Sequence, residues 1–86
     1  MLDLIYAPAF VRQFKKLPVD LQEEALEKIE LFKNTSNHQS LKVHKLHGVF
    51  NDTYSFSVNY RFRIIFSYGT KDEIYILSIG DHEVYK

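Results

Sequence analysis

The stretch YSFSVNYRFRIIF, residues 54–66, decides the fold because it holds two alternating patterns back to back. In residues 54–58, aromatic and aliphatic side chains alternate with serines. In residues 62–66, the apolar side chains again take every second position, and Arg63 lies on the other side with Ile65. A period of two with β-branched and aromatic residues is typical of strands that bury one face. The stretch therefore predicts two neighbouring β-strands.

The connection between these two strands is short. Asn59 and Tyr60 are the residues left for a turn, so we predict a tight antiparallel hairpin with a two-residue loop. One face of this hairpin is apolar enough to be buried. The other face carries the serines together with Arg61 and Arg63, where a polar ligand could reach them.

A strand and two helices precede the hairpin. Residues 2–6 predict a short first strand, and Pro8 suits the first turn of a helix, where its missing N–H is not needed. Apolar side chains three and four positions apart predict helices over residues 8–17 and 19–33, separated at Pro18. Because so short a connection joins them, we expect the two helices to form a helical hairpin.

The rest of the chain predicts turns and one more long strand. Residues 41–46 are compatible with a short strand or an extended connector. Residues 68–72 predict a turn, because Gly69 can take backbone angles that other residues avoid. Residues 73–79 are nearly all apolar, which is typical of a strand buried on both faces at the centre of a sheet. We expect Gly80 to end this strand and residues 81–86 to form a short tail.

This order of elements predicts an α+β fold. An N-terminal strand and a two-helix hairpin are followed by a mostly antiparallel sheet of three or four strands, in one domain over residues 1–86. The helices should cover one face of the sheet, and Arg61, Arg63 and the tail should converge on the other. The predicted core consists of Phe14, Leu17, Ile29, Phe32, Phe56, Ile64, Phe66 and Ile76.

Composition excludes several classes of protein. The 86 residues contain no cysteine, so disulfides and thiolate metal sites are excluded, and the four histidines have no recognisable metal-ligand spacing. We therefore expect neither a metal nor another cofactor. No apolar run reaches the roughly 20 residues of a membrane span, and the N-terminus lacks a signal-peptide pattern. We expect a cytoplasmic protein without a membrane partner.

The charges are distributed unevenly along the chain. The net charge is zero, which argues against a general nucleic-acid binder. Between positions 33 and 63, however, five basic residues face one acid, while the second predicted helix carries five acids. The chain is thus divided into an acidic helix and a basic, histidine-bearing sheet region. A solvated helix face with chance clustering elsewhere would give the same pattern.

Two basic groups could carry chemistry. The guanidinium fork of arginine matches two phosphate oxygens, which makes Arg61 and Arg63 candidates for phosphate binding. Lys42, His44 and Lys45 form a second group, in which the lysines could bind phosphate and the histidine could act as general acid or base. The alternatives are surface salt bridges for the arginines and an ordinary solvated connector for residues 42–45.

The tail is the third group. His82 and Tyr85 lie within four positions of each other just after the last predicted strand, together with Glu83. Imidazole, carboxyl and phenol groups can all transfer protons. The alternative is a frayed terminus without a function.

The chain resembles toxins of the RelE/ParE superfamily, from bacterial type II toxin–antitoxin modules. The likeness covers nearly all residues and rests on the order of several motifs. The N-terminal motifs are YAPAF at 6–10 and FKKLP at 14–18, followed by the lysine-rich KVHKLHG at 42–48. The strand pair at 54–66 comes next, and the tail GDHEVY at 80–85 closes the series.

The resemblance implies an mRNA interferase. Such members cut mRNA in the ribosomal A site without a metal, by attack of the ribose 2′-OH on the adjacent phosphate. It implies that Arg63 stabilises the charge on the phosphate. His82 and Tyr85 would supply proton transfer and base stacking, and Lys42 and His44 would line the other rim, with His44 as a possible base.

The resemblance also leaves an alternative open. Ser57 stands where many nuclease members carry a basic residue, for which Arg61 could compensate from the facing strand, and the chain is neutral where ribosome-directed members are basic. ParE-type members share the fold but inhibit DNA gyrase. A degenerate toxin that only binds its antitoxin is a further possibility.

The resemblance implies partners as well. A cognate antitoxin should form a hetero-oligomer with this chain, through a segment that is disordered when free and folds as it wraps the toxin. The ribosome and its mRNA are the expected targets. Plasmid stabilisation is the expected biological role of such a module.

Overall fold

A computed structural model describes residues 1–46 and 52–81, which form a layer of helices on a five-stranded sheet. The elements are β1 (Asp3–Tyr6), α1 (Pro8–Lys15), α2 (Val19–Phe32), a 3₁₀ turn (Thr35–Asn37), β2 (His44–Lys45), β3 (Tyr54–Ser57), β4 (Phe62–Tyr68) and β5 (Glu73–Asp81). The strand order is β1-β5-β4-β3-β2. β1 runs parallel to β5, and every other neighbouring pair is antiparallel. The predicted α+β class is confirmed.

The sequence did not determine which strands form the two edges of the sheet. β1 joins the sheet beside β5, with Asp3 opposite Glu73. At the other edge, the short β2 pairs with β3, with His44 opposite Ser55. The four strands that follow the helices agree with the predicted three or four, and β1 adds a fifth strand at an edge of the sheet.

The hairpin loop is longer than predicted. The N–H of Val58 donates to the carbonyl of Phe62 at 2.9 Å, so the loop comprises three residues, 59–61. Asn59 stabilises it, because its Oδ1 accepts from the backbone N–H groups of Arg61 and Phe62, each at 2.8 Å. A local side-chain bond of this kind takes the place of a strand bond. The two-residue turn was therefore wrong by one residue, and Arg61 belongs to the loop.

Strand β5 also differs from the prediction. It continues through Gly80 to Asp81, because Gly80 pairs with Arg63 of β4. The ladder to β4 thus outweighs the weak strand preference of glycine. β5 lies inside the sheet as predicted, but one face is only partly covered, since Tyr75 is 38% exposed while Ile76 is fully buried.

The turn before β5 needs a glycine because a side chain would not fit at position 69. The positive φ of this turn lies at Lys71 (52°) and not at Gly69. A Cβ added at Gly69 would lie 2.7 Å from Cε2 of Tyr75 and 3.1 Å from Cβ of Glu73. The predicted turn is present, but glycine is needed there because of this close approach.

The helices begin and end where the two prolines allow. Pro8 occupies the first turn of α1, as predicted. α1 ends at Lys15, two residues early, because a residue that precedes proline avoids helical angles. Gln22 of α2 donates to the carbonyls of Phe14 (3.2 Å) and Leu17 (3.0 Å) and so fixes the corner between the helices. No helix in the described part of the chain is long and apolar enough to cross a membrane.

The core lies between the helices and one face of the sheet. Phe32 is its centre, and its ring stacks on Phe56 at 4.3 Å and on His38 at 4.5 Å. Of the predicted core, Ile29, Phe32, Phe56, Ile64, Phe66 and Ile76 are buried, whereas Phe14 and Leu17 are partly buried and pack against it. Side chains on the opposite face of the sheet include Ser55, Ser57 and Arg63, and this face is called the arginine face below.

Candidate functional site

The β3–β4 hairpin places Arg63 on the arginine face. Ile64 faces the core, so strand alternation directs Arg63 to the other side of the sheet. The register puts Ser57 directly opposite Arg63, and Ser55 lies two residues further along the same strand. Arg63 is only 7% exposed. The site therefore begins with a guanidinium that is held within the sheet surface.

The guanidinium contacts three neutral oxygens. Nε donates to Oγ of Ser55 at 2.9 Å, and Nη1 donates to Oγ of Ser57 at 3.1 Å. Nη2 donates to the backbone carbonyl of Lys42 at 3.1 Å. Neither of the two ion pairs in residues 1–46 and 52–81 involves Arg63. Among the described residues, the buried cation is thus positioned by neutral oxygens and has no ion pair with a carboxylate.

Burial lowers the pKa of Arg63. The guanidinium nevertheless stays protonated in proteins at any ordinary pH. A buried charge is costly unless an opposite charge pairs with it. The site is therefore electrostatically prepared for an anion.

The carbonyl of Lys42 also organises His44. Lys42 has a positive φ of 59°, a left-handed conformation that costs about 1–2 kcal/mol for a residue with a Cβ. In this conformation its carbonyl lies 3.0 Å from Nδ1 of His44 and 3.1 Å from Nη2 of Arg63. One strained carbonyl thus lies within hydrogen-bond distance of both chemical groups of the site.

The two contacts of His44 Nδ1 correspond to the two tautomers of its ring. Nδ1 lies 3.0 Å from the Lys42 oxygen, which can only accept, and 3.3 Å from Nη2 of Arg63, which can only donate. Without a proton, Nδ1 accepts from Arg63; with a proton, it donates to the Lys42 oxygen. Nε2 then carries the lone pair on an exposed ring, as a general base must.

Two of the predicted site residues lie elsewhere. Arg61 is in the hairpin loop, 60% exposed, and its Nη2 pairs with Oδ2 of Asp81 at 3.0 Å. Asp81 is opposite Phe62, which packs against the core, so this pair lies toward the helix side of the sheet. The hydrogen bond and charge of Asp81 raise the pKa of Arg61. The prediction that Arg61 joins Arg63 and compensates for Ser57 was wrong, because the longer loop turns Arg61 away.

Lys45 also points away from Arg63. It pairs with Tyr54, whose side chain packs against the core, so Lys45 lies on the helix side of β2 while His44 lies on the arginine face. Lys42 has an exposed side chain close to Ser57, at the rim of the site. His82 and Tyr85 lie outside the described residues, and their place in the site stays a prediction.

Sequence reasoning missed the groups that hold Arg63 and His44. The period of two did place Ser55 and Ser57 on the face of Arg63, but it did not identify them as its hydrogen-bond partners. The Lys42 carbonyl could not be predicted, since nothing in the sequence marks a lysine with left-handed backbone angles. Within residues 1–46 and 52–81, no three His, Asp or Glu side chains cluster as metal ligands do.

Solved structures with the same fold include toxins and toxin–antitoxin complexes. The RelE–RelB complex from the archaeon Pyrococcus horikoshii OT3 has 23% identity and a TM-score of 0.71, over 93% of both chains. The YoeB–YefM complex from Staphylococcus aureus has 17% identity and a TM-score of 0.73, over 95% of this chain and 98% of that chain. A YoeB/ParE toxin from Agrobacterium tumefaciens has 12% identity and a TM-score of 0.67, over 94% and 99%.

These likenesses establish the fold. No protein-family model matches the chain, and no curated protein matches its sequence. The predicted RelE/ParE-like fold is confirmed by the agreement over nearly the whole of each chain. Because the fold is shared by structures named RelE, YoeB and YoeB/ParE, the choice among activities depends on the site itself.

Proposed function

We propose that this chain, which has the fold of RelE and YoeB toxins, is the toxin of a type II toxin–antitoxin pair and cleaves mRNA at the ribosome. One observation carries the nuclease activity: Arg63 is buried, rigidly held and unpaired by any carboxylate in the described residues, next to the imidazole of His44. A phosphodiester supplies the anion that this cation lacks.

The guanidinium has donors left for a phosphate. Its hydrogen bonds to Ser55, Ser57 and Lys42 use three of the five N–H groups that an arginine has. When His44 carries its proton on Nδ1, one N–H on each Nη is available, and such a pair can bind two oxygens of one phosphate. Such donors stabilise the charge that develops on the phosphate as it is attacked.

The proposed reaction needs a base and an acid. Nε2 of His44 removes the proton of the ribose 2′-OH, and the 2′-oxygen forms a bond to phosphorus. The bond from phosphorus to the 5′-oxygen breaks, and an acid protonates that oxygen. The products are a 2′,3′-cyclic phosphate and a free 5′-hydroxyl. We assign the acid and a base-stacking role to His82 and Tyr85 by resemblance, and Lys42 adds a cation at the rim.

The proposed partner is an antitoxin encoded with this chain. The RelE and YoeB structures are complexes with RelB and YefM, and we propose an equivalent hetero-oligomer here. A disordered segment that folds on the toxin can cover a large surface and exclude RNA from the site. Action on ribosomes places the protein in the cytoplasm, and the proposed chemistry uses no cofactor.

Cell-free translation of a defined mRNA tests the proposal. The wild-type protein should stop synthesis and cut the message within codons, as mapped by primer extension. Arg63→Ala should lower the cleavage rate by about 10²–10³, because one donor to the transition state is lost. Arg12→Ala, which removes an exposed arginine of α1, should keep full activity. Circular dichroism and a melting curve show that each variant is folded.

A gyrase inhibitor is the second candidate. The pairing of Arg61 with Asp81 favours it, since only one guanidinium is then left at the site. If the wild-type protein leaves mRNA intact but blocks DNA supercoiling by purified gyrase, this candidate replaces the first. If it does neither and only binds its antitoxin, the chain is a degenerate toxin.

A further inference from the structure

A groove beside the Arg63 site has no role in the proposed reaction. Its walls include Lys28 of α2, Lys42, Ser57 at the end of β3, and Tyr60 in the hairpin loop. The groove adjoins the guanidinium, because Arg63 donates to both Ser57 Oγ and the Lys42 carbonyl. A strand bound at Arg63 could therefore continue into it.

The ammonium group of Lys28 lies at this groove and forms no ion pair with the described residues. Its Nζ donates to the backbone carbonyl of Val58 at 3.1 Å, which leaves two of its three N–H groups. Glu24 is four residues earlier on α2 and would be its usual partner. Glu24 instead accepts from Nδ2 of Asn59 at 2.8 Å. The half-buried Lys28 has no ion pair within the described residues.

The hairpin loop is held in place on this helix. Asn59 bonds Glu24 with its amide nitrogen, while its amide oxygen accepts from two backbone N–H groups of the loop. Lys28 holds the same loop through Val58. The ring of Tyr60, at the tip, is nevertheless 90% exposed. A fixed loop thus displays an aromatic ring beside the ammonium groups of Lys28 and Lys42, and folding gains little from that ring.

We propose that this groove binds the single-stranded RNA next to the cleaved phosphate. Lys28 and Lys42 hold a backbone phosphate, the Ser57 hydroxyl can donate to the same group, and Tyr60 stacks on a base. Ammonium groups that follow a backbone, combined with aromatic rings, are how proteins bind single strands without reading their sequence. The proposal rests on the proposed function for the position of the strand, but binding can be measured without cleavage.

Fluorescence anisotropy with a labelled hexanucleotide tests the groove. The probe carries 2′-O-methyl groups, so that no 2′-OH attack can cut it. Lys28→Gln should weaken binding and reduce the slope of log affinity against log salt by about 0.7, the value for one phosphate contact on a single strand. Tyr60→Ala should weaken binding about five- to tenfold, and Tyr60→Phe should not, because stacking needs only the ring.

Lys33→Gln is the matched control. Lys33 also lies at α2 but pairs with Glu30 at 2.7 Å, away from the groove, so its loss should leave binding unchanged. Melting curves confirm that each variant keeps the loop folded. If Lys28→Gln and Lys33→Gln bind alike and Tyr60→Ala binds as the wild type, the groove is not an RNA site. That result would not affect the separate proposal that cleavage depends on Arg63. If the wild-type protein does not cleave mRNA but the variants still differ in binding as expected, the nuclease proposal is wrong and the RNA-binding groove is supported.

Discussion

Arg63 is costly to the fold, and this cost supports the proposal that it binds an anion. A buried cation with neutral partners destabilises the folded state, and burial accordingly lowers its pKa. A base whose folded pKa lies below its unfolded value regains stability only as the pH rises toward that unfolded value. No ordinary pH therefore relieves the cost. An anion bound at the guanidinium, as proposed, would remove it.

Phosphate should stabilise the protein through Arg63. A concentration of ten times the dissociation constant raises the free energy of unfolding by about 1.4 kcal/mol. In a domain of this size that corresponds to a rise of about 6–11 °C in Tm. We expect this shift when phosphate replaces chloride at equal ionic strength, measured by calorimetry.

Arg63→Met separates this effect from the general influence of salts. Phosphate stabilises most proteins by exclusion from their surface, and the variant should keep only that part. Its own free energy of unfolding in chloride should match or exceed the wild-type value by about 1 kcal/mol, since an unpaired buried charge is gone. An equal phosphate shift in both proteins would show that Arg63 binds no anion.

Lys42 offers a second test at the scale of one residue. Its φ of 59° is easy for glycine and strained for alanine. Lys42→Gly should therefore be more stable than Lys42→Ala by about 1 kcal/mol in urea denaturation. Lys45 lies in β2 and serves as the control, because there the glycine variant should be the less stable of the two. A Lys42→Ala protein at least as stable as Lys42→Gly would mean that the carbonyl is not held under strain.

At the scale of elements, periodicity predicted most of the fold. The two alternating runs of the hairpin and the apolar spacing of α2 each extend over several residues, so their signal survived in the sequence. Ile64 and Phe66 were placed in the core for this reason, and Arg63 on the opposite face. The parallel pairing of β1 with β5 could not be predicted, because a four-residue strand does not show in its sequence which strand it pairs with.

Side-chain bonds to the backbone account for what periodicity missed. Asn59 holds a three-residue loop, which removed Arg61 from the arginine face and left it with Asp81. His38 is another example. Its Nε2 lies 2.8 Å from the Phe32 carbonyl at the end of α2, and its ring stacks on the ring of Phe32. Bonds of this kind depend on single residues and their three-dimensional neighbours. The sequence could therefore predict which face of the sheet carries the candidate site, but not the contacts within it.

At the scale of the whole molecule, the sheet separates the exposed acids of α2 from the Arg63 site. Glu23 and Glu27 are exposed on α2, on the helix side, while Arg63 and His44 lie on the arginine face. The molecule is 26 Å across in its shortest dimension. Charges in water are screened over about 8 Å at 0.15 M salt and about 30 Å at 0.01 M. The acidic helix should therefore repel RNA only when salt is low.

This separation can be tested by removing charge from α2. Glu23→Gln and Glu27→Gln together should change the affinity for the 2′-O-methyl hexanucleotide less than about twofold at 0.15 M salt, and should increase it several-fold at 0.01 M. Lys15→Gln with Lys16→Gln, which removes two positive charges near the end of α1, should shift affinity in the opposite direction with the same dependence on salt. Anisotropy titrations at both salt concentrations measure these changes. A large gain at 0.15 M would instead mean that bound RNA continues past Lys28 to the exposed glutamates of α2, and the Arg63 site and its groove would then be only one part of a longer interface.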